Sequence, residues 1–570
     1  MKKIFAILSL VAAVAACDLE KFPSDSISAD SMSDPANAAV VTDGTYAMFK
    51  AILMYDGMVY SANSYVRHFF QMAEFRGDNI TLCAYTPDPL NSAIIYKDVS
   101  TEGNTGYYWW IAYKILFSAN TMIEAIPEGT SQMSDHILGE NYFIRAVTHL
   151  HLLQLYSFPY SHGRDNLGVV LRNSTDCSET KRATVGECYD QVEQDLIKAA
   201  SLMQGGARRG NNGYINYEAA MGLLSRVQLY MEKWDDCIAT VNTVLGGADP
   251  ASKLDPSYVN LFQNSKTSPE VLWCVAMIPS DWTDQKGSMG SMFYSYDSAT
   301  GGIAGPGAGG WGEIYYSQPL IDLFNRYPED KRWTTMAEAY QHDGTRKMAY
   351  WPIKDNVADY RLMHVDESPV VNGDGFLTDV KGPDGASYSV ERRIVNTYPE
   401  YHINYGGEDV KIGFMDKCYL NHTFPTVYMK KFANMEGASN VLNSPIIIRW
   451  AEVILNRAEA YAHKGDTPNA LKDVKVIRER AGLTGDAEMT AANMAERGYA
   501  DILDLVLDER RMELCFEGHR PMDQFRNKKD LDRRYGGSQP WGIVKWNDSR
   551  IPFQIPYGEV SVSGIPQNQR

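Results

Sequence analysis

Residues 446–526 constrain the fold more than any other part of this chain. Ile447, Ala451, Ile454, Ala458 and Tyr461 recur at steps of three and four, so one face of a helix is apolar. Gly465-Asp466 interrupts the pattern, and Asp466 or Thr467 can cap the next helix. A second apolar face runs through Ala470, Val474, Ile477 and Ala481. Two helices joined by so short a turn lie antiparallel, with the small residues Ala458 and Ala470 at their close approach. A third helical segment comes next, with dense charge over 508–526. Arg510 with Glu513, and Glu517 with Arg520, have the i,i+3 spacing of pairs on one helix. Such pairs fix how helices dock at little net gain in stability, so the segment predicts structure and carries little chemistry.

The same unit recurs at irregular spacing, with helical pairs predicted near 33–54, 108–158 and 184–246. Thr184 and Glu187 have capping-box spacing. Ala220, Leu224, Val227 and Tyr230 form another apolar face, and Lys233-Trp234 is its turn. His149 and His151 are two apart on a predicted helix and face different ways, which argues against a metal pair. Between 246 and 445 the character changes. Nine glycines fall within 287–312, which replaces helical periodicity with loop. Residues 270–278 and 426–432 are β-prone, and Asn372-Gly373 and Asp384-Gly385 have the form of hairpin turns. The expected fold is mostly α: a scaffold of helical pairs with long loop-rich insertions and a few short strands.

Lys2 and Lys3 precede an apolar run over 4–16, too short to span a bilayer and of signal-peptide form. It ends Val14-Ala15-Ala16-Cys17, which resembles a lipobox, so Cys17 is expected to be acylated and to anchor the chain to a membrane. The expected division is a signal peptide over 1–16, a tether over 17–33 and one domain over 34–570. Within that domain, helical repeats occupy about 34–246 and 446–526. A loop-rich insertion, which the family resemblance below makes the ligand-binding part, occupies about 247–445, and a tail 527–570. Setting Cys17 aside, seven scattered cysteines remain, an odd number with no C-x-x-C and no zinc spacing, so they are expected to be mostly buried thiols. A net charge of −17 disfavours nucleic acid as a partner. It also disfavours strongly anionic polysaccharides unless a local basic patch overrides it. Nucleophile-elbow, H-E-x-x-H and Walker patterns are absent, and no G-x-G-x-x-G follows a predicted strand; the glycine-rich 301–312 also lacks the Lys-Ser/Thr of a phosphate cradle. Aligned on Gly375, a calcium loop would need its first ligand at Val370 and its last at Lys381, which fails. No catalytic residue, cofactor or metal is expected.

The run 458–470 resembles a tetratricopeptide unit. The later run E-R-x-x-E-L-x-F-E-G-x-R-x-x-D-x-x-R resembles the C-terminal part of the SusD/RagB family. Glu509, Arg510, Glu513, Leu514, Phe516, Glu517, Gly518, Arg520, Asp523 and Arg526 carry that likeness. Further matches occur in order: Asp78, the W-x-x-x-Y helix after Trp109, the segment from Glu140 to Pro159, residues 182–196, residues 318–332, and the close at 554–568. In the last, Ser563 or Gly564 stands where the family has Asn.

The resemblance implies a surface lipoprotein of Bacteroidetes-type bacteria. It would bind a nutrient, usually a glycan, and its repeats would dock a SusC-like TonB-dependent transporter. The family's glycan site resembles an arc of aromatics facing away from the repeats. It draws on the stretch before the W-x-x-x-Y helix and on central loops. Sugar binding needs flat apolar faces with polar groups beside them. Asn104, Tyr107, Trp109, Trp282 and Trp311 are therefore the expected ligand residues, with Tyr294 and Tyr315 beside them. Two other readings compete. One is an all-α surface glycoside hydrolase, which would need a carboxylate pair in its pocket. The other is a scaffold that binds protein only.

Overall fold

A computed structural model describes residues 31, 34–58, 63–83, 89–281, 285–354, 359–437 and 441–570. Cys17, the 1–16 segment, nearly all of the tether and Trp282 lie outside the described residues.

Helices form where apolar periodicity and caps coincide. Pro35–Met48 (α1) starts at Asp34, whose carboxylate accepts from the Ala36 amide. Tyr65–Phe75 (α2) is followed by the long pair Gly103–Ala125 (α3) and Gln132–Tyr156 (α4). Val185–Met203 (α5) opens with the capping box: Glu187 N donates to Thr184 Oγ1 at 3.1 Å, and Thr184 N to Glu187 Oε2 at 2.8 Å. It packs closely on α4 because Gly139 has no side chain. A Cβ there would stand 2.7 Å from Met203 Cγ and 3.1 Å from the Ala199 carbonyl oxygen. Tyr217–Tyr230 (α6) and Trp234–Leu245 (α7) make a third pair. Trp450–His463 (α8) and Thr467–Arg480 (α9) make a fourth, with Ala458 and Ala470 fully buried between them. Both α6 and α7 touch α8, which joins the early and late repeats. The fold is mostly α and tetratricopeptide-like.

The segment after α9 departs from a single helix. Ile502–Leu514 (α10) ends, and Arg520–Arg526 (α11) begins separately. Phe516 and Gly518 between them have φ of +66° and +80°, which no helix accommodates. The break removes the helical spacing of Glu517 and Arg520, and Arg510 and Glu513, although both on α10, do not pair with each other. Each of these side chains instead reaches another element. Arg510 meets Asp523 at 2.9 Å, Glu513 meets Arg449 at 2.6 Å, and Arg520 meets Asp78 at 2.8 Å.

Val271–Cys274 pairs with Ile446–Arg449 and ties the centre to the late repeats. Trp273 on that strand fills the space between Phe49 and Phe143, edge-on to both rings at 5.4 Å. The insertion contains more sheet than its turns foretold. Its strands are Asp343–Lys354 (β1), Arg361–Asp366 (β2), Val370–Val371 (β3), Leu377–Lys381 (β4), Ser387–Ser389 (β5), Glu391–Val395 (β6), Tyr398–Tyr405 (β7) and Glu408–Lys417 (β8). Five of them form an antiparallel sheet in the order β6-β7-β8-β1-β2, and β3-β4-β5 form a second. The predicted turns at 372–373 and 384–385 join the strands of this smaller sheet. Gly406-Gly407, with φ of +61° and +85°, turns β7 into β8, a geometry that favours glycine.

Candidate ligand-binding surface

The structure separates the expected ligand residues into two groups. Asn104, Tyr107 and Trp109 belong to α3, whose first turn is built from Gly103, Asn104, Thr105 and Gly106. As helical residues, Tyr107 and Trp109 face the core and are 0% and 4% exposed. The Tyr107 ring lies 6.0 Å from Tyr55 and 5.3 Å from His68. Burial pushes the His68 imidazole down to about 3, so it is neutral beside that ring. Trp109 packs edge-on to Tyr156 at 5.0 Å and tilts against Tyr113 at 4.9 Å. Asn104 is half-buried. An edge of Trp109 also lines a largely apolar groove of about 730 Å³ with Val41, Met48, Trp110, Phe117 and Glu559.

Tyr294, Trp311 and Tyr315 form the second group, and the fold does bring them together. Tyr294 and Tyr315 flank Tyr428 at ring distances of 5.3 and 6.0 Å. The Tyr315 hydroxyl donates to the Gly312 carbonyl at 2.6 Å. The glycine-rich loop is pinned along its length. Ser295 Oγ donates to Gly310 O at 3.1 Å, and Gly312 N to Ser291 O at 2.8 Å. A Cβ on Gly310 would stand 2.2 Å from the Tyr294 carbonyl oxygen, so the loop lies this close only with glycine there. Tyr294 and Tyr315 are buried beneath it, and burial pushes their hydroxyls above the ordinary phenol range. Trp311 is 40% exposed, with Lys286 Nζ 4.6 Å from its ring centre.

A cleft of about 750 Å³ lies between β1, β2, β8 and the 532–541 loop, and sequence reasoning did not find it. Its lining comes from segments far apart in the chain. Tyr350 and Gln318 line it, and burial pushes the Tyr350 hydroxyl, which lies against the Gln318 side chain, above the ordinary phenol range. Trp541 is 36% exposed, and the Arg361 guanidinium lies 4.7 Å from its ring centre.

The two cleft carboxyls with a shifted acidity are shifted away from general-acid use. Hydrogen bonds from Arg534 and Arg393 hold the Asp532 and Asp409 carboxyls in the cleft below the usual carboxylate range. A general acid needs the opposite shift. Burial does raise the carboxyls of Glu74, Asp195 and Asp473, but each is closed in by partners. Glu74 accepts from the Phe516 and Gly518 amides, Asp195 pairs with Arg145, and Asp473 with Arg457. The histidines of α4 also have separate partners. His149 Nε2 accepts from the Arg172 amide at 3.2 Å, while His151 Nδ1 lies 2.9 Å from the Tyr65 hydroxyl. Among the described residues no three His, Cys, Asp or Glu side chains are grouped to hold a metal. Six of the seven described cysteines are buried thiols, and Cys177 is exposed. No described helix is long and apolar enough to cross a membrane.

The chain is similar to known proteins along most of its length. "SusD-like protein P38" of Formosa agariphila is 22% identical over 477 residues, which is 81% of this chain and 80% of that protein. The crystal structure of a SusD superfamily protein from Bacteroides thetaiotaomicron superposes with a TM-score of 0.66 at 21% identity. That match covers 94% of this chain and all of the other. A SusD-like carbohydrate binding protein from Bacteroides vulgatus superposes with a TM-score of 0.62 at 17% identity, covering 93% of this chain and 96% of its own. A family described as "Starch-binding associating with outer membrane" matches residues 44–229. The SusD family matches residues 269–559, just over half of the chain and including every strand of the insertion. On that match, the chain belongs to the SusD family.

Proposed function

We propose that this protein binds carbohydrate at the outer surface of an outer membrane and hands it to a SusC-like TonB-dependent transporter, with no bond broken. Kinship carries the reading, because one matching family is described as starch-binding and associated with the outer membrane. The surface is consistent with it. Trp311 keeps a flat ring open to solvent on a loop that is fixed rather than free, as a sugar face requires. Trp282 joins Trp311 in this proposal, and Asn104 supplies an amide for hydroxyls. The stacked helical pairs leave extended faces for the transporter. Acylated Cys17 provides the anchor, and stable attachment implies more than one acyl chain.

A panel of polysaccharides, screened by microarray and then by calorimetric titration, tests the binding. Trp311→Ala should weaken the cognate saccharide by roughly thirtyfold, the loss of about 2 kcal/mol typical of an aromatic anchor. Its melting temperature should stay nearly unchanged. Binding to no member of a broad panel would overturn the reading. Cys17→Ala should move the protein out of the membrane fraction and out of reach of external protease, and a variant that fractionates like wild type rules out the anchor. A tagged wild-type protein, extracted in mild detergent, should bring down a large outer-membrane barrel.

A further inference from the structure

We infer that the cleft beside Trp541 takes a negatively charged sugar residue, a uronate or a sulfate ester. The inference rests on the proposed carbohydrate binding and narrows it. In a chain of net charge −17, an anion site has to be local, and the cleft contains such a place. Lys354 and Arg361 both line it and stand directly opposite each other across the β1–β2 hairpin. Like charges placed directly opposite on adjacent strands repel and lower stability. Neither meets a carboxylate within ion-pair distance among the described residues. The other cations in the cleft do: Arg534 has Asp532 at 2.7 Å, and Lys411 has Asp322 at 3.0 Å. Of the lining carboxylates, Asp409 is also taken, by Arg393 at 2.8 Å, which leaves Glu408 alone without an ion pair among the described residues. Among the described lining residues, two cations and one carboxylate are therefore without an ion pair.

The arrangement around them suits a sugar ring as well as a charge. Arg361 lies against the Trp541 ring, which limits how its guanidinium can turn. A guanidinium held in this way can offer two parallel N–H donors to a carboxylate or sulfate. The exposed part of Trp541 supplies a flat face beside the charge. Bound anion would also relieve the repulsion between Lys354 and Arg361, so occupancy should raise stability.

The test titrates the purified full-length protein with three polymers at low and high salt: polygalacturonate, a sulfated galactan and a neutral galactan. Arg361→Gln, Lys354→Gln and a control substitution outside the cleft, Lys472→Gln, are compared with wild type. At least one acidic polymer should bind, raise the melting temperature and weaken as salt rises. Arg361→Gln and Lys354→Gln should each weaken it about tenfold or more, as expected for loss of a charged hydrogen bond. Lys472→Gln should bind as wild type does. Melting of the ligand-free Lys354→Gln protein should be unchanged or higher, which separates loss of binding from misfolding. Comparing the two acidic polymers tells carboxylate from sulfate. The inference is overturned if the neutral polymer binds and both acidic ones do not, or if the cleft variants bind acidic polymer like wild type; the carbohydrate-binding reading survives either result. Failure of every polysaccharide, neutral or acidic, would overturn both.

Discussion

Replacing Arg449 with methionine should lower folding stability by about 3–5 kcal/mol, the usual penalty for removing one partner from a buried ion pair. Arg449 is the centre of a closed network in which five cations meet five carboxylates. Arg332, Lys431, Arg449, Arg478 and Arg480 face Glu270, Asp330, Glu509, Glu513 and Glu517, and no side chain among them is more than 5% exposed. The Arg449 guanidinium alone reaches Glu270 at 2.8 Å, Glu513 at 2.6 Å and Glu517 at 2.8 Å. It thereby joins the central strand, α8 and α10. Methionine fills much of the volume but leaves the network one negative charge in excess, away from water. Urea unfolding at neutral pH measures the loss. A penalty under about 1 kcal/mol, the range of exposed pairs, would show that the network is hydrated rather than closed.

The sign of the pH dependence sharpens this prediction. Burial by itself would raise the Glu513 and Glu517 carboxyls. Arg480, Arg449 and Arg332 outweigh burial at Glu513 and hold it well below the usual range, while Arg449 and Lys431 bring Glu517 down to about 2. A carboxyl whose folded pKa is depressed contributes stability above its unfolded value, near 4.3, and loses it as pH falls toward the folded value. Wild type should therefore lose stability progressively from about pH 4.5 to pH 2. Arg449→Met should respond in the opposite sense at first. Protonating one surplus carboxyl restores charge balance, so the gap between variant and wild type should narrow on going from pH 7 to pH 5. A gap that stays constant over that interval would mean that lost packing, not buried charge, sets the penalty.

How much of this was legible in the sequence depended on how one-sided each element is. The 467–480 helix buries one face and exposes the other, so its period is visible; the 450–463 helix is buried nearly all round, yet Ala458 and Ala470 both sit where the apolar period puts them. The family motif was also legible, but its geometry was not. Glu513 and Arg520 look like helix partners of their neighbours, yet their partners Arg449 and Asp78 come from distant segments. The sheet of the insertion was largely hidden. Its β6 strand buries no residue, and the β6–β7 turn is made by Asn396 and Thr397, with φ of +49° and +75°, where glycine would have marked it. Gly406-Gly407 between two alternating runs was a usable hairpin signal. Among the candidate ligand residues, Tyr294, Trp311 and Tyr315 lie in or beside one glycine-rich loop, and its glycines are visible in the sequence. The cleft at Trp541 is not, since Lys354, Arg361 and Trp541 meet only through sheet pairing and the packing of the 532–541 loop.

The start of α3 gives the second large prediction. Gly103 and Gly106 are poor helix formers, so the aromatics beyond them read as a loop leading into a helix. In the structure the helix already includes them, and Trp109 is enclosed by Tyr113 and Tyr156. Trp109→Ala should then lower stability by about 3–5 kcal/mol, the range for deleting a large buried aromatic. Trp311→Ala, on a ring 40% exposed, should cost less than about 1 kcal/mol. The contrast is informative because both residues are tryptophans in aromatic-rich stretches flanked by glycine, so composition cannot distinguish them. Urea midpoints of the two variants, measured beside calorimetric titration of the cognate saccharide, separate packing from recognition. If Trp109→Ala unfolds with wild-type stability and loses ligand, its ring faces solvent and the first turn of α3 belongs to the binding surface. If it unfolds early and the residual folded protein binds normally, α3 is a pillar beneath the surface, and recognition rests on rings such as Trp311 that the insertion holds in solvent.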